Sequence, residues 1–255
     1  MEKRLPAIVI MFAAVSLFPV PAQSEREIGV RGYVWHPDIS ADLQTITAGV
    51  RDTRFDLVDD AGLIQKNFGV AEVSIRSGKM HFRAGYTPAL LNGNKTLEND
   101  IVFAGLAYPA GAPARSHICV DLADLEIQYD PVRVDAGEAR LDLGVIGKLR
   151  YMNARAELHT GNQSEERSFA TPLLAIGAAA GAGVPGGRLR ADLRVSWGAF
   201  SANRMFDAEL FASLAVLRSF RLQGGYRYVY LDVEADDILA QIRMKGPIVG
   251  GELIF

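Results

Sequence analysis

The segment RLRADLRVSW, residues 188–197, alternates charged and apolar side chains with a period of two. Successive side chains of a β-strand point to opposite faces, so this period predicts a strand with one polar and one apolar face. The residues of the polar face are Arg188, Arg190, Asp192, Arg194 and Ser196, and those of the apolar face are Leu189, Ala191, Leu193, Val195 and Trp197.

The same alternation continues through the next two segments toward the C-terminus. In residues 206–216 an apolar face that begins at Phe206 opposes Asp207 and Glu209, and in residues 220–232 an apolar face opposes Arg221 and Arg227. That second apolar face contains Phe220, Leu222, Tyr226, Tyr228 and Tyr230. Three consecutive strands therefore carry one apolar and one charged face each.

Two structures accommodate such strands, and they differ in which face is covered by protein. In a soluble sandwich the apolar faces meet each other, whereas in a membrane barrel they meet lipid and the charged faces line the lumen. The predicted strands run to about a dozen residues, longer than the about five or six of soluble strands and enough for the about 9 to 11 that cross a membrane. Trp197 and the tyrosines lie toward strand ends, where an aromatic girdle is expected, and short connections alternate with long ones. These features favour the barrel.

The last residues of the chain carry a recognisable motif. Val249, Gly251, Leu253 and Phe255 alternate on one face. This resembles the terminal-strand signature of Gram-negative outer-membrane proteins, in which a final aromatic residue is read by the barrel-assembly machinery. The resemblance implies that Phe255 and Leu253 are the assembly signal.

Three segments also resemble a family of uncharacterised proteobacterial outer-membrane β-barrels within the small outer-membrane barrel superfamily. They are residues 29–35 (GVRGYVW), 83–88 (RAGYTP) and 225–228 (GYRY). The resemblance implies a barrel fold and a location in the bacterial outer membrane, and it brings no catalytic motif.

The pattern of residues at the N-terminus indicates an export signal. Lys3 and Arg4 form a positive region, residues 7–18 form an apolar region, and small residues surround Ala22. The apolar region is shorter than the roughly 20 residues of a spanning helix. We therefore predict a signal peptide over residues 1–22, cleaved after Ala22 or Ser24, followed by a barrel domain over residues 23–255.

The pattern predicts an antiparallel up-and-down barrel of about ten strands, with eight or twelve as alternatives. Residues 37–67 and 91–114 are expected to be long extracellular loops, each with its own hairpin, and both termini are expected in the periplasm. If residues 44–58 or 99–108 enter the wall, the count rises to about twelve. The expected strands are near 27–36, 68–76, 79–90, 115–130, 137–157, 168–181, 187–200, 203–217, 219–233 and 241–255.

Composition excludes some functions. A formal net charge of −3 gives no basis for nucleic-acid binding. Cys119 is the only cysteine, so no intrachain disulfide can form, and it reads as a small apolar side chain on a strand. Nothing in the sequence indicates a cofactor or a structural metal. The expected partners are outer-membrane lipid, lipopolysaccharide, the barrel-assembly machinery and a possible small solute. The protein is expected to be a monomer.

Inside such a barrel, charged side chains must pair or stay hydrated. Short turns between the last strands set Arg194 opposite Glu209 and Glu209 opposite Arg227, so Glu209 is expected between these two arginines. The lumen-facing charge network predicted for the barrel comprises Arg188, Arg190, Arg194, Arg221, Arg227, Lys148, Arg150, Asp207, Glu209 and Glu126. Further inward candidates are Glu72, Arg76, His81, Arg83, Asp124, Asp142 and Glu252.

Three roles remain open for this network and for the barrel rim. The charges can plug a narrow barrel that serves structure or surface interaction, or they can line a narrow porin-like channel for small anions. A third role is an outer-membrane hydrolase of lipids or peptides with an active site at the rim. His36, His117 and His159 all lie near that rim, with Asp38, Ser116, Asp121, Ser164, Glu165 and Glu166 near them in sequence.

The sequence favours the non-enzymatic roles, because nucleophilic catalysis needs a serine within reach of an oriented histidine and no local hydrolase signature is present. The same three histidines could also bind a transition metal.

Overall fold

The computed structural model describes residues 26–255 except residues 61, 65–66, 138, 162, 185–187 and 236. The predicted signal peptide, residues 1–22, lies outside the described residues. The strands are β1 (Arg26–Trp35), β2 (Asp38–Thr47), β3 (Val50–Arg51), β4 (Phe55–Asp56), β5 (Phe68–Ser77), β6 (Met80–Thr96), β7 (Ile101–Phe103), β8 (Leu106–Tyr108), β9 (Pro113–Ala136), β10 (Ala139–Thr160), β11 (Gln163–Gly183), β12 (Leu189–Phe200), β13 (Asn203–Leu217), β14 (Phe220–Ala235) and β15 (Ile238–Ile254).

These strands form a closed antiparallel ring. Neighbours follow in the order β1, β5, β6 and then β9 to β15, and β1 pairs with both β5 and β15. β2 continues the line of β1 along β15, from Asp38 opposite Lys245 to Thr45 opposite Ile238. The wall therefore has ten strands, as predicted. Closure satisfies the backbone groups that an open sheet would leave bare at its edges.

Parts of the two stretches that were expected to be loops, residues 37–67 and 91–114, belong to the barrel wall. Residues 38–45 pair with β15, and residues 91–96 extend β6 along β9. The remainder contains the short strands β3 and β4, which pair with β2, and the hairpin of β7 with β8. Neither stretch adds a wall strand, so the count stays at ten.

The wall strands differ in length around the ring. β9, β10 and β11 have 24, 22 and 21 residues, whereas β12 has 12. The short turns at residues 78–79 and 218–219 lie with Arg26 and Phe255 at one end of the ring, which we call the terminal end. The two longest connections, residues 48–67 and 97–112, lie at the opposite end, the loop end. The other connections there are as short as those of the terminal end, so the expected alternation of short and long connections does not hold along the whole chain. Among the described residues, no helix is long and apolar enough to cross a membrane.

The polarity of the wall reverses along its strands. On β9, Leu125, Ile127 and Tyr129 point outward and are 40–44% exposed, while Asp124 and Glu126 point inward. Nearer the loop end the inward positions become apolar, and the outward positions carry groups such as Asp121 and His117. The half with apolar outward faces is called the membrane half, and the half with polar outward faces is called the loop half.

The hydrophobic core lies inside the loop half. Trp35 and Phe68 pack edge to face with ring centroids 6.1 Å apart, and Phe103 of the β7–β8 hairpin packs in the same way on Phe55 at 6.0 Å. The hairpins of the loop end therefore fold onto the ring and fill it. Other core members are Leu43, Leu57, Leu63, Leu97, Tyr108, Leu122, Met152, Leu173, Met205 and Leu231.

The first wall strand is broken at residues 36–37, where the chain passes Gly246 of β15. The His36 N–H donates to the Pro247 carbonyl at 3.0 Å, which holds the break against β15. A Cβ atom at Gly246 would lie 2.0 Å from the His36 carbonyl oxygen. The close backbone approach therefore requires glycine at this position.

Candidate functional site

An apolar belt surrounds the membrane half on its outer face. Leu193, Leu210, Leu214 and Leu222 all point outward and are more than 40% exposed. Toward the loop end the belt ends in aromatic side chains, where Trp197 is paired across the sheet with Phe206 and Phe206 with Tyr230. A belt with an aromatic girdle around a closed antiparallel ring is characteristic of bacterial outer-membrane proteins, and the protein lies in that membrane.

Eleven ionised side chains fill the lumen of the membrane half, and we call them the lumen charge cluster. Each of them is at most 16% exposed. Charges removed from water on this scale are stable only when each is paired. The cations are Arg31, Arg83, Lys148, Arg150, Arg194 and Arg227, and the anions are Glu72, Asp124, Glu126, Asp207 and Glu209.

The register of the last strands agrees with the one expected from sequence. Arg194 lies opposite Glu209, and Glu209 lies opposite Arg227. The side-chain contacts differ in one respect. Arg194 and Arg31 donate to Glu209 at 2.6 and 2.8 Å, whereas Arg227 donates to Asp207 at 3.0 Å.

The expected position of Glu209 between Arg194 and Arg227 is confirmed in the strand register, but the Arg227 guanidinium pairs with Asp207 and not with Glu209. It also donates to the Tyr33 hydroxyl at 3.0 Å and lies over the Trp35 ring at 5.1 Å. Arg31, and not Arg227, is the second arginine that donates to Glu209. Sequence reasoning did not include Arg31, although the alternation of residues 29–35 puts it on the same face as Tyr33 and Trp35.

Asp207 and Asp124 organise the other side of the cluster. Arg150 donates twice to Asp124, each time at 2.6 Å, and also contacts Asp207. Lys148 donates to Asp207 at 2.9 Å and lies 3.7 Å from Glu126. These residues come from β9, β10 and β13, so the cluster ties opposite walls of the ring together.

Three predicted members lie outside the cluster, near the terminal end. Arg190 pairs with Asp192 at 2.7 Å, and Arg221 lies 3.6 Å from Glu27. Arg188 is exposed in the bend before β12, and none of the ion pairs among the described residues includes it. Its inclusion in the lumen network is wrong because β12 begins at Leu189, one residue after it.

The cluster leaves almost no open space. The cavity between Tyr33, Glu72, Arg194 and their neighbours has a volume of about 20 Å³, which is room for about one water molecule. The hydrophobic core continues the filling toward the loop end. Charged side chains thus occupy one section of the lumen and apolar side chains the other.

The three rim histidines do not converge. His36 contacts Asn67 at 2.5 Å near the break in the first wall strand, while His117 and His159 lie on β9 and β10. Ser116 is buried and points inward, away from the outward face of His117. Among the described residues, no group of three or more His, Cys, Asp or Glu side chains is placed to hold a metal ion.

One of these histidines belongs to an arrangement that the sequence analysis did not predict. His117 Nδ1 donates to Asn92 Oδ1 at 2.5 Å, and His117 Nε2 lies 3.3 Å from Cys119 Sγ. All three side chains are partly exposed on the outer face of the loop half. Cys119 lies on a strand, as predicted, and its sulfur also contacts an imidazole, which the sequence did not lead us to expect. The i and i+2 spacing of His117 and Cys119 on one strand was the available signal.

The terminal strand closes the ring at the terminal end. Phe255 and Ile28 exchange two backbone hydrogen bonds at 2.9 and 3.2 Å, and the Leu253 and Phe255 side chains are 46% and 72% exposed. Recognition of these two residues by an assembly machinery stays a prediction.

No protein-family model and no curated protein matches this chain. Among solved structures the chain is similar to the outer membrane protease OmpT from Escherichia coli, at 10% identity over 90% of this chain and 97% of that chain with a TM-score of 0.47. It is also similar to Ail, the attachment invasion locus protein of Yersinia pestis, at 11% identity over 92% and 100% with a TM-score of 0.35. A third is Neisserial surface protein A, at 12% identity over 89% and 96% with a TM-score of 0.38.

Proposed function

We propose that the protein is a closed outer-membrane barrel that acts as a surface-interaction protein, with its loop half as the working part. The observation that carries the proposal is the filled lumen. The lumen charge cluster and the hydrophobic core occupy its two sections in series, and the cavity within the cluster is about 20 Å³. A solute would have to displace both to pass.

The loop half has the properties of a stable binding platform. Its wall strands continue past the apolar belt, with inward side chains such as Ile118 and Leu158 packed and outward ones in water. The hairpins fold onto this core through buried residues such as Phe103 and Tyr108. Contacts made by such rigid elements lose little conformational entropy on binding.

The available surface is of mixed charge and lies at the tips of the hairpins. Glu98 and Asp100 are exposed between β6 and β7, and Arg51 and Asp59 are exposed near β3 and β4. Mixed-charge surfaces favour specific polar recognition over non-specific attraction. We place the terminal end, with Arg26 and Phe255, in the periplasm, so these tips face outward from the cell.

The proposal is tested by ligand binding to the refolded protein in liposomes, screened on arrays of polysaccharides and extracellular proteins. A variant with Glu98→Ala, Asn99→Ser and Asp100→Ala alters exposed tips and leaves the core residues in place. We expect this variant to lose binding while its folded, heat-modifiable gel migration is unchanged. Absence of any array binding by the wild type, or equal binding by the variant, would count against the proposal.

A second candidate function is thiol-dependent catalysis, which the Asn92–His117–Cys119 arrangement favours. The order of contacts is that of a nucleophile, a base and a residue that orients the base. Because Asn92 Oδ1 can only accept, it fixes the proton on His117 Nδ1 and leaves Nε2 as the base for the Cys119 thiol.

This second candidate is tested by the rate at which iodoacetamide alkylates Cys119, followed by assays with chromogenic thioesters. We expect His117→Gln to slow alkylation at pH 7 and Asn92→Ala to slow it less. Cys119→Ser provides the blank. If His117→Gln and the wild type react at the same rate, the imidazole does not activate the thiol.

A further inference from the structure

A second group of charges lies at the terminal end of the lumen, beyond the lumen charge cluster. It lines an open cup with a volume of about 650 Å³. Five arginines and two acidic side chains border this terminal cup: Arg26, Arg76, Arg133, Arg140, Arg190, Glu27 and Asp142. The cup thus has a large excess of cationic side chains over acidic ones.

The excess is clearest around Asp142. This carboxylate is buried and lies 2.7 Å from Arg133 Nε, 3.3 Å from Arg190 Nη1 and 3.8 Å from Arg76 Nη2. Each guanidinium has five N–H donors, whereas one carboxylate has about four acceptor positions. One anion therefore leaves most of the donors of three arginines unused.

Two further acidic groups, Asp192 and Asp135, offset part of this imbalance, but they act on Arg190 and Arg140. Asp192 pairs with Arg190 at 2.7 Å, and Asp135 pairs with Arg140 at 2.8 Å. Neither carboxylate forms an ion pair with Arg76 or Arg133 among the described residues. Asp142 is thus the acidic group that both of these arginines contact.

The terminal cup differs from the lumen charge cluster in its access to water. The side chains of Arg76, Arg133 and Arg190 are 27–30% exposed, and Arg140 is 40% exposed. The cations of the lumen charge cluster are at most 14% exposed. The lumen charge cluster is closed by its own pairs, whereas the cup presents guanidinium donors to an incoming ligand.

We propose that the terminal cup is a binding site for a phosphate-bearing ligand that enters from the terminal end of the barrel. A phosphate group carries up to two negative charges and three acceptor oxygens, so it can bridge several guanidiniums at once. Arginine forks match its geometry in a bidentate manner. The volume of the cup is within the range of small-molecule sites, about 300–1,000 Å³. The proposal is independent of the function assigned to the loop half.

The Asp142 carboxylate would compete with the ligand for the guanidinium donors of this site. It holds the arginines in place and neutralises part of their charge when no ligand is bound. Removal of its charge by Asp142→Asn would release Arg76 and Arg133 from their ion pairs with Asp142 and make them available to the ligand, while Arg190 stays paired with Asp192. The proposal therefore expects tighter binding in this variant, an outcome that a purely structural ion-pair network does not produce.

The test is isothermal titration of inorganic pyrophosphate into the refolded protein in zwitterionic micelles. We expect saturable binding that weakens as salt is raised. Asp142→Asn is expected to tighten binding by about tenfold, and the double variant Arg76→Gln/Arg133→Gln to weaken it by at least about tenfold. The matched control is Arg204→Gln, an exposed arginine on β13 at the other end of the barrel, which should bind like the wild type.

If the double variant does not fold, Arg140→Gln takes its place, because its partner Asp135 is 61% exposed and its loss is mild. No saturable binding by the wild type, or equal binding by the wild type, Asp142→Asn and the arginine variants, would overturn the proposal.

The source of the phosphate is decided by a second arm. The protein is reconstituted in nanodiscs of phosphatidylglycerol or phosphatidylcholine, and bound lipid is counted by native mass spectrometry. Retained phosphatidylglycerol that pyrophosphate displaces identifies a lipid headgroup as the ligand. Pyrophosphate binding without lipid retention identifies a soluble phosphate compound.

Discussion

Arg194 on β12 and Glu209 on β13 face each other across adjacent strands, and Arg194 Nη2 donates to Glu209 Oε2 at 2.6 Å inside the lumen. Arg31 donates to the other oxygen of the same carboxylate at 2.8 Å. Glu209 therefore neutralises cations from two parts of the wall that are distant in sequence. Loss of its charge would therefore affect two buried cations at once.

We expect Glu209→Gln to destabilise the barrel strongly, because it leaves two buried guanidiniums without their nearest anion. Breaking a buried pair in this way costs about 3–5 kcal/mol. The measurement is the free energy of unfolding from urea titration in micelles. The control is Asp42→Asn, which breaks the exposed Arg54–Asp42 pair and should cost at most about 1 kcal/mol. Similar losses in the two variants would show that the lumen charges are hydrated.

The two tryptophans report separately on the core and on the belt. Trp35 is fully buried in the hydrophobic core, whereas Trp197 is 56% exposed on the outer face. In liposomes of brominated lipid we expect strong quenching of Trp197 fluorescence in the Trp35→Phe variant. The Trp197→Phe variant, which retains Trp35, should be quenched little. Equal quenching of both variants would mean that the apolar belt is assigned to the wrong face.

The β7–β8 hairpin is fastened to the wall by Asp52. Its Oδ2 atom accepts from the Thr45 hydroxyl at 2.6 Å, the Thr47 hydroxyl at 2.9 Å and the Gly105 N–H at 3.1 Å. Partial burial raises the pKa of Asp52, but these hydrogen bonds lower it by more, so its pKa is below the ordinary value. The carboxylate thus stabilises the hairpin when it is ionised.

This contribution is present above the unfolded-state pKa of about 3.9 and is lost as the pH falls through the lower folded-state pKa. We expect the protection factor of the Gly105 amide against hydrogen exchange to fall between pH 4 and pH 2. In Asp52→Asn the protection should be lower at neutral pH and constant over that range. A wild-type protection factor that does not change with pH would contradict this role.

Sequence periodicity predicted the strands, because alternation with period two is imposed by the strands themselves, and strand length together with the aromatic girdle favoured a ring over a sandwich. The register from β12 to β14 also followed, since short turns leave few ways to pair the strands. Arg194 opposite Glu209 is the example.

The contact partners of individual side chains were less predictable from sequence. Arg227 lies opposite Glu209, but its guanidinium pairs with Asp207. The long arginine side chain can reach several carboxylates in a confined lumen, so the strand register alone does not determine its partner. Asn92, His117 and Cys119 meet across β6 and β9, and that pairing depends on long-range register that no local pattern records. Residues 38–45 and 91–96 were expected in loops, but they extend the wall of the loop half, where the inward faces are apolar, the reverse of the membrane half.

The central claim is that the lumen is closed from the lumen charge cluster through the hydrophobic core. Single-channel recording of the refolded protein in a planar bilayer tests it most directly. We predict a silent bilayer at moderate voltage for protein shown to be folded by its heat-modifiable gel migration. Discrete conductance steps with a reproducible ion selectivity would contradict the claim and show that an open path runs through the barrel.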